Sequence, residues 1–220
     1  MKIFGTDFDG VIINIEPQKA AAFAELVNNE WGIDKDAAYN CWHDFCGTSR
    51  RFKFDYFYKK KFGEKLDDKT YQLIEPQLSM ILKTKYYPSA QFLPGALEML
   101  KFARENFDYC FVSSGVPMAE IKYLLDLLDV SKYYDSILGT DNIYKSKADH
   151  FRKILGGKHY DPLIFIADGI EDMKVAKEFN AKTIGVTTNH TGKELKKAGA
   201  TITCETPLEA IPLIKSFLNQ

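Results

Sequence analysis

No apolar run in this sequence approaches the ~20 residues that a membrane-spanning helix needs. The first residues alternate like a strand and carry an early aspartate pair, unlike a secretory signal. The expectation is a soluble, cytoplasmic protein with no membrane partner. A dominant charge is also lacking: 29 Lys and Arg against 30 Asp and Glu leave a net charge of -1. That removes any global pull toward nucleic acid, so a basic partner surface would have to be local. Cysteine is scarce, and Cys41, Cys46, Cys110 and Cys204 form no paired CxxC motif. They are expected to be reduced and mostly buried thiols, not a zinc site. The four histidines, His43, His150, His159 and His190, show no metal-ligand spacing and receive no role. There is no internal repeat or low-complexity linker.

What is present is globular: 45% hydrophobic and 27% charged residues in a chain of 220, enough for one generous domain or one domain with a smaller insert. Residues 2–6 form a short run suited to a parallel sheet, and Asp7-Phe8-Asp9-Gly10 follows at its end. Side chains two apart on an extended chain point the same way, so Asp7 and Asp9 can share one cavity at the carboxyl end of a strand. Such a pair can divide labour between nucleophile or metal ligand and proton carrier. Alone, the stretch could equally be a strand-to-loop exit.

Helical spacing then takes over. Helices are expected from Pro17 to Gly32, from Asp34 to Gly47, over 50–62 after the Gly47-Thr48-Ser49 break, and from Asp67 or Asp68 toward Tyr87-Pro88. After Pro94-Gly95 the pattern alternates. Helices are expected over 96–106, 118–128, 147–155, 171–179, 193–198 and 207–217, and strands over 109–112, 136–139, 162–167, 182–186 and 201–204. That rhythm implies an α/β fold with a parallel sheet, residues 1–14 and 87–220, interrupted by a helical insert over 15–86.

Three further stations fall near strand ends or helix starts. Ser113, followed by Ser114 and Gly115, ends an apolar strand; a hydroxyl and free amides at a helix start suit a phosphate oxygen, although Ser is also an ordinary N-cap. Lys145 and Lys147 flank Ser146 before a helix and could pair with carboxylates and a phosphoryl group, or be solvated. Asp168 and Asp172 follow the strand 162–167, and with Asp7 they offer the hard oxygen ligands that Mg2+ prefers. Their bland reading is a turn residue and a first-turn helix charge.

Taken in order, Asp7-Phe8-Asp9-Gly10-Val11, Ser113, Lys145 or Lys147, and Asp168 with Asp172 resemble the four motifs of the haloacid dehalogenase-like superfamily, which is mainly phosphatases and phosphomutases. Phe92-Leu93-Pro94-Gly95-Ala96 resembles the helix start that family members place after their cap. Gly47-Thr48-Ser49-Arg50-Arg51 resembles the substrate-facing cap loop of relatives of phosphoglycolate phosphatase and β-phosphoglucomutase. The resemblance implies a Rossmann-like core with helices on both faces and an inserted α-helical cap. It also implies an Mg2+-dependent phosphatase of a small phosphorylated metabolite, with the cap closing over the site; the sequence leaves a monomer or a homodimer equally open.

By the same resemblance, Asp7 would be nucleophile and metal ligand, forming an aspartyl-phosphate. Asp9 would be acid and base, and ligand through its carbonyl. Asp168 would be a ligand, and Asp172 would reach the ion through water. Ser113 and the lysine would hold phosphoryl oxygens, and Ser114, Gly115, Arg50 and Arg51 would bind substrate. Asp9 favours phosphate esters over carbon–halogen or carbon–phosphorus bonds. The third motif lacks the frequent Lys-Pro; its Lys147-Ala148-Asp149 is similar to the phosphoserine phosphatase form, which favours Lys147. Ala167 and Asn189 stand where glycines are common. A phosphomutase would use the same residues, and a non-catalytic binding module is the remaining alternative.

Within the insert, Phe52, Phe54, Tyr56, Phe57, Tyr58 and Phe62 interleave with Lys53, Lys59, Lys60 and Lys61. Such a stretch could stack bases. A core-facing aromatic stripe with a solvated lysine edge is the preferred reading, and no nucleic acid is expected.

Overall fold

The structure, a computed structural model, describes residues 1–45, 48–141, 143–157 and 159–219. The expected break at Gly47 and the Cys46 thiol lie outside the described residues. The chain separates into two compact units, Met1–Asn14 with Gln91–Gln220, and Ile15–Ala90.

The first unit is built on strands β1 (Ile3–Thr6), β2 (Tyr109–Pro117), β3 (Ser136–Thr140), β4 (Leu163–Ala167), β5 (Lys182–Val186) and β6 (Ile202–Cys204). They form one sheet in the order β3-β2-β1-β4-β5-β6, and each paired ladder is parallel. Every residue of β1 and β4 is buried, as expected of strands covered on both faces. The order reverses between β1 and β4, the point at which doubly wound sheets open a ligand crevice at their carboxyl ends.

Between the strands run α5 (Ala96–Asn106), α6 (Met118–Leu127), α7 (Lys147–Leu155), α8 (Ile170–Glu178) and α9 (Gly192–Ala198), and α10 (Pro207–Leu218) follows β6. The apolar residues of α7 fall on one face, burying Phe151, Ile154 and Leu155. The Phe151 ring meets Phe111 of β2 at 5.5 Å and Phe165 of β4 at 4.9 Å. Burying a phenylalanine stabilises by roughly 1.5–3 kcal/mol, so this contact fixes the helix that carries Lys147.

The structure corrects one element. β2 does not stop at Ser113; extended backbone continues to Pro117, with a register shift between Ser113 and Pro117 before Pro117 pairs with Thr140. The small residues Ser114 and Gly115 tolerate that irregular edge without turning the chain. α6 starts only at Met118, so Ser114 and Gly115 are not at a helix N-terminus and the phosphate-cradle argument for them falls.

The second unit holds four helices, α1 (Glu16–Trp31), α2 (Lys35–Asp44), α3 (Arg50–Phe62) and α4 (Asp68–Ile81), then a π-helical turn, Leu82–Tyr86, and a 3-10 turn, Tyr87–Ser89. Those turns prolong α4, which carries the unit past residue 86. Ser49 and Asp67 cap α3 and α4 by accepting from Phe52 and Thr70 amides. The core is aromatic: Phe23 lies 5.2, 5.0 and 5.8 Å from Trp42, Phe54 and Phe57. The aromatic stripe of α3 is therefore partly core, with Phe54 and Phe57 buried and Phe52, Tyr56 and Phe62 exposed. Lys53 departs from the expected solvated edge. It is buried with its ammonium 3.9 Å from the Trp42 ring centroid, a cation–π contact that sequence spacing on α3 could not reveal.

Candidate active site

Asp7 and Asp168 leave adjacent strands at the switch point. The β1–β4 ladder extends one step beyond Thr6, the Asp7 amide donating to the Ile166 carbonyl at 2.8 Å. Both aspartates are buried, as is Asp172 in the first turn of α8, while Asp9 is half-buried. Gly10 turns the chain after Asp9 with φ at +77°, and a Cβ there would stand 2.0 Å from Asp168 Oδ2. Only glycine serves at this position, because the backbone is left-handed and the carboxylate packs directly on it. Gly169 is similar in space alone: a Cβ would stand 2.3 Å from Asp172 Oδ2.

Lys147 joins the two acidic loops. Its ammonium lies 2.8 Å from Asp7 Oδ2 and bonds Asp172 Oδ1. Burial opposes the lysine charge, but the Asp172 and Asp7 carboxylates outweigh it and raise the Lys147 pKa. On Asp172 burial is the larger effect: despite the lysine, its carboxyl is pushed up to about 6. Burial, with the Asp7 charge next, likewise raises Asp168 well above the usual carboxylate range.

Local capping explains why Lys147 and not Lys145 takes this place. Ser146 and Asp149 form a capping box, so Lys147 opens α7, whereas Lys145 is exposed with its amide donating to Asp149. The Ser-x-x-Asp pattern was available in the sequence as a signal.

Ser113 follows Val112, which pairs with Thr6, so it sits level with Asp7 at the carboxyl edge. It is fully buried, and its Oγ lies 2.8 Å from His150 Nδ1 on α7. The loop after β5 braces both acidic loops through three consecutive side chains. Thr188 donates to the Gly10 carbonyl at 2.7 Å, Asn189 Nδ2 to Asp168 Oδ2 at 2.5 Å, and His190 Nδ1 to the Asp168 carbonyl at 2.9 Å. Sequence reasoning assigned Thr188, His150 and His190 nothing and noticed Asn189 only as an absent glycine; their partners lie too far along the chain for local pattern to expose them.

Arg50 and Arg51 lie in the helical unit, each paired within it. Arg50 bonds Glu75 and Ser79, and Arg51 bonds Asp55, Asp68 and the Leu66 carbonyl. Ser114 is buried and Gly115 exposed on the extended edge of β2.

The residues fit a hard divalent cation. The Lys147 ammonium meets Asp7 and Asp172, whereas Asp168 is raised by burial and by the neighbouring Asp7, Asp172 and Asp9 charges, which leaves this acidic cluster short of positive charge. Among the described residues no group of three or more His, Cys, Asp or Glu side chains is placed to hold a metal ion by itself. Mg2+ is usually held by one or two carboxylates together with water and substrate phosphate, and Asp7 and Asp168 are the carboxylates that could supply that part. Cys41, Cys110 and Cys204 are free and buried, their thiols pushed up by burial to about 11, 12 and 12. None of the described helices is long and apolar enough to cross a membrane.

No curated protein sequence matches the chain significantly. Solved structures do. A predicted phosphoglycolate phosphatase from Haemophilus somnus 129PT is 14% identical with a TM-score of 0.81, the match covering 97% of this chain and 98% of that one. A predicted phosphatase from Clostridium acetobutylicum is 21% identical with a TM-score of 0.80, covering 98% of each chain. A candidate β-phosphoglucomutase from Thermotoga maritima is 18% identical with a TM-score of 0.71, covering 98% and 99%. At these identities the likeness establishes the fold. The family model described as haloacid dehalogenase-like hydrolase matches residues 3–186. With the acidic loops, Ser113 and Lys147 all inside that span, the chain belongs to the haloacid dehalogenase-like hydrolase family.

Proposed function

We propose that this hydrolase is an Mg2+-dependent phosphatase acting on a small phosphorylated metabolite through an aspartyl-phosphate at Asp7. The observation that carries the reading is the Lys147 bridge between Asp7 and Asp172 at the carboxyl edge of the sheet. Asp7, Asp168 and the Asp9 carbonyl would hold the ion, with Asp172 reaching it through water. When bound, the ion offsets repulsion between an anionic nucleophile and an anionic substrate.

Asp7 supplies the attacking oxygen. Asp9 donates a proton to the leaving alkoxide, then takes one from the water that cleaves the acyl phosphate. Lys147 and Ser113 hold equatorial phosphoryl oxygens as charge spreads over them. Arg50 and Arg51 remain proposed contacts for a substrate anion, which would have to displace Glu75, or Asp55 and Asp68.

The likeness to a candidate β-phosphoglucomutase supports a second reading, in which the phosphoryl group returns to substrate before water attacks. A panel of phosphate monoesters with Mg2+ separates the two: phosphate release is expected from wild type and only background from Asp7→Asn. Isomer formation without release would favour the mutase. No turnover of either kind, or release that survives in Asp7→Asn, would overturn the proposal.

A further inference from the structure

His150 is fully buried beside a proposed phosphoryl-binding residue, and both its ring nitrogens are engaged. Nδ1 meets Ser113 Oγ at 2.8 Å, and Nε2 meets the Gly139 carbonyl of β3 at 3.1 Å. A carbonyl oxygen only accepts, so Nε2 must carry a proton. In the neutral ring Nδ1 then has a lone pair, and it accepts the Ser113 hydroxyl proton. Among the described residues, Ser113 Oγ has no other hydrogen-bond partner. The neutral pair thus leaves Ser113 with only lone pairs for a ligand, the wrong face for a phosphoryl oxygen.

We propose that His150 is a positioning residue that sets the direction of the Ser113 hydroxyl, and that oxyanion binding is coupled to uptake of one proton at His150 Nδ1. The inference rests on the proposed phosphoryl-binding role of Ser113. A proton from solvent adds to Nδ1 while Nε2–H keeps its bond to Gly139. Nδ1–H now donates to a Ser113 lone pair, and the released hydroxyl hydrogen turns to the anion. No covalent bond between heavy atoms changes.

The surroundings favour a neutral resting ring. Burial lowers the His150 pKa, with the Gly139 carbonyl opposing; Lys147 on the same helix lowers it further, and Asp149 and Asp141 raise it. The Tyr144 ring packs edge-on with centroids 6.2 Å apart. An anion beside Ser113 adds the negative charge that the protonated ring lacks.

The test uses the full chain, with Mg2+ and sulfate as a probe whose own charge is constant near neutrality. Nitrogen-15 spectra of the histidine rings, with His150 identified by its loss in His150→Asn, report the proton on each nitrogen. The expected result is an Nε2–H ring at pH 7.5 that becomes doubly protonated as sulfate is added. Sulfate affinity should rise toward low pH by up to about tenfold per pH unit more in wild type than in His150→Asn. In that variant the side-chain amide can donate to Ser113 at every pH. An Nδ1–H ring in the free protein, a ring still neutral at the highest sulfate concentration, or parallel affinity curves would overturn the inference. Phosphate-ester turnover, measured separately, distinguishes the two failures. Turnover with an unresponsive His150 removes only this inference, whereas a sulfate-responsive His150 without turnover removes only the phosphatase reading.

Discussion

Replacing Lys147 by Met keeps the length of the side chain and removes the cation that, among the described residues, meets both Asp7 and Asp172. All three side chains are at most 16% exposed, so solvent compensates little. Stripping one partner from a buried ion pair costs about 3–5 kcal/mol. For a chain of this size each kcal/mol shifts Tm by roughly 2–4 °C, which gives about 6–20 °C at pH 7.5 without added metal. The pH dependence has a definite sign. Asp172 has a carboxyl raised to about 6; a raised acid contributes its stability below its unfolded pKa, ~3.9, and loses it as pH rises through the folded value. Without Lys147 the charged carboxylates are worse off still, so the deficit of the variant should widen from pH 4 to pH 7.5. Thermal unfolding followed by circular dichroism at both pH values measures this. An unchanged Tm at pH 7.5, or a larger deficit at pH 4, would refute the claim that Lys147 compensates buried carboxylates.

Two other perturbations test the frame around the acids. Asn189→Ala removes the amide that donates to Asp168 Oδ2 and should weaken Mg2+ binding by about 10–100-fold in calorimetric titration; unchanged affinity would make the bond incidental. Gly10→Ala forces a side chain onto a left-handed residue and into Asp168. The backbone alone costs about 1–2 kcal/mol, so both Tm and Mg2+ affinity should fall, and a variant equal to wild type in both would contradict the close approach at Gly10.

Much of the core was legible in sequence because it depends on local pattern. The apolar runs of β1 and β4 ending in Asp7 and Asp168, and the alternation with helices, are written in adjacent residues. The end of β2 was not: Ser114 and Gly115 look like a turn, yet pairing of Pro117 with Thr140 keeps the chain extended. Lys147 was separable from Lys145 by the Ser146 capping box. His150 was not legible, because its character as a buried ring between β2 and β3 depends on Ser113, 37 residues away. The brace from Thr188, Asn189 and His190 has the same origin in tertiary packing. Lys53 looked solvated until Trp42 of a different helix lay beneath it.

The central claim is that Asp7 accepts the phosphoryl group. The most direct measurement is mass-spectrometric location of a covalent phosphoryl group after brief reaction with acetyl phosphate and Mg2+, in wild type, Asp7→Asn and Asp9→Asn. The account predicts the group on Asp7 in wild type, its accumulation there in Asp9→Asn because water is no longer deprotonated, and none in Asp7→Asn. A phosphoryl group on another residue, or equal trapping in Asp7→Asn and Asp9→Asn, would contradict it.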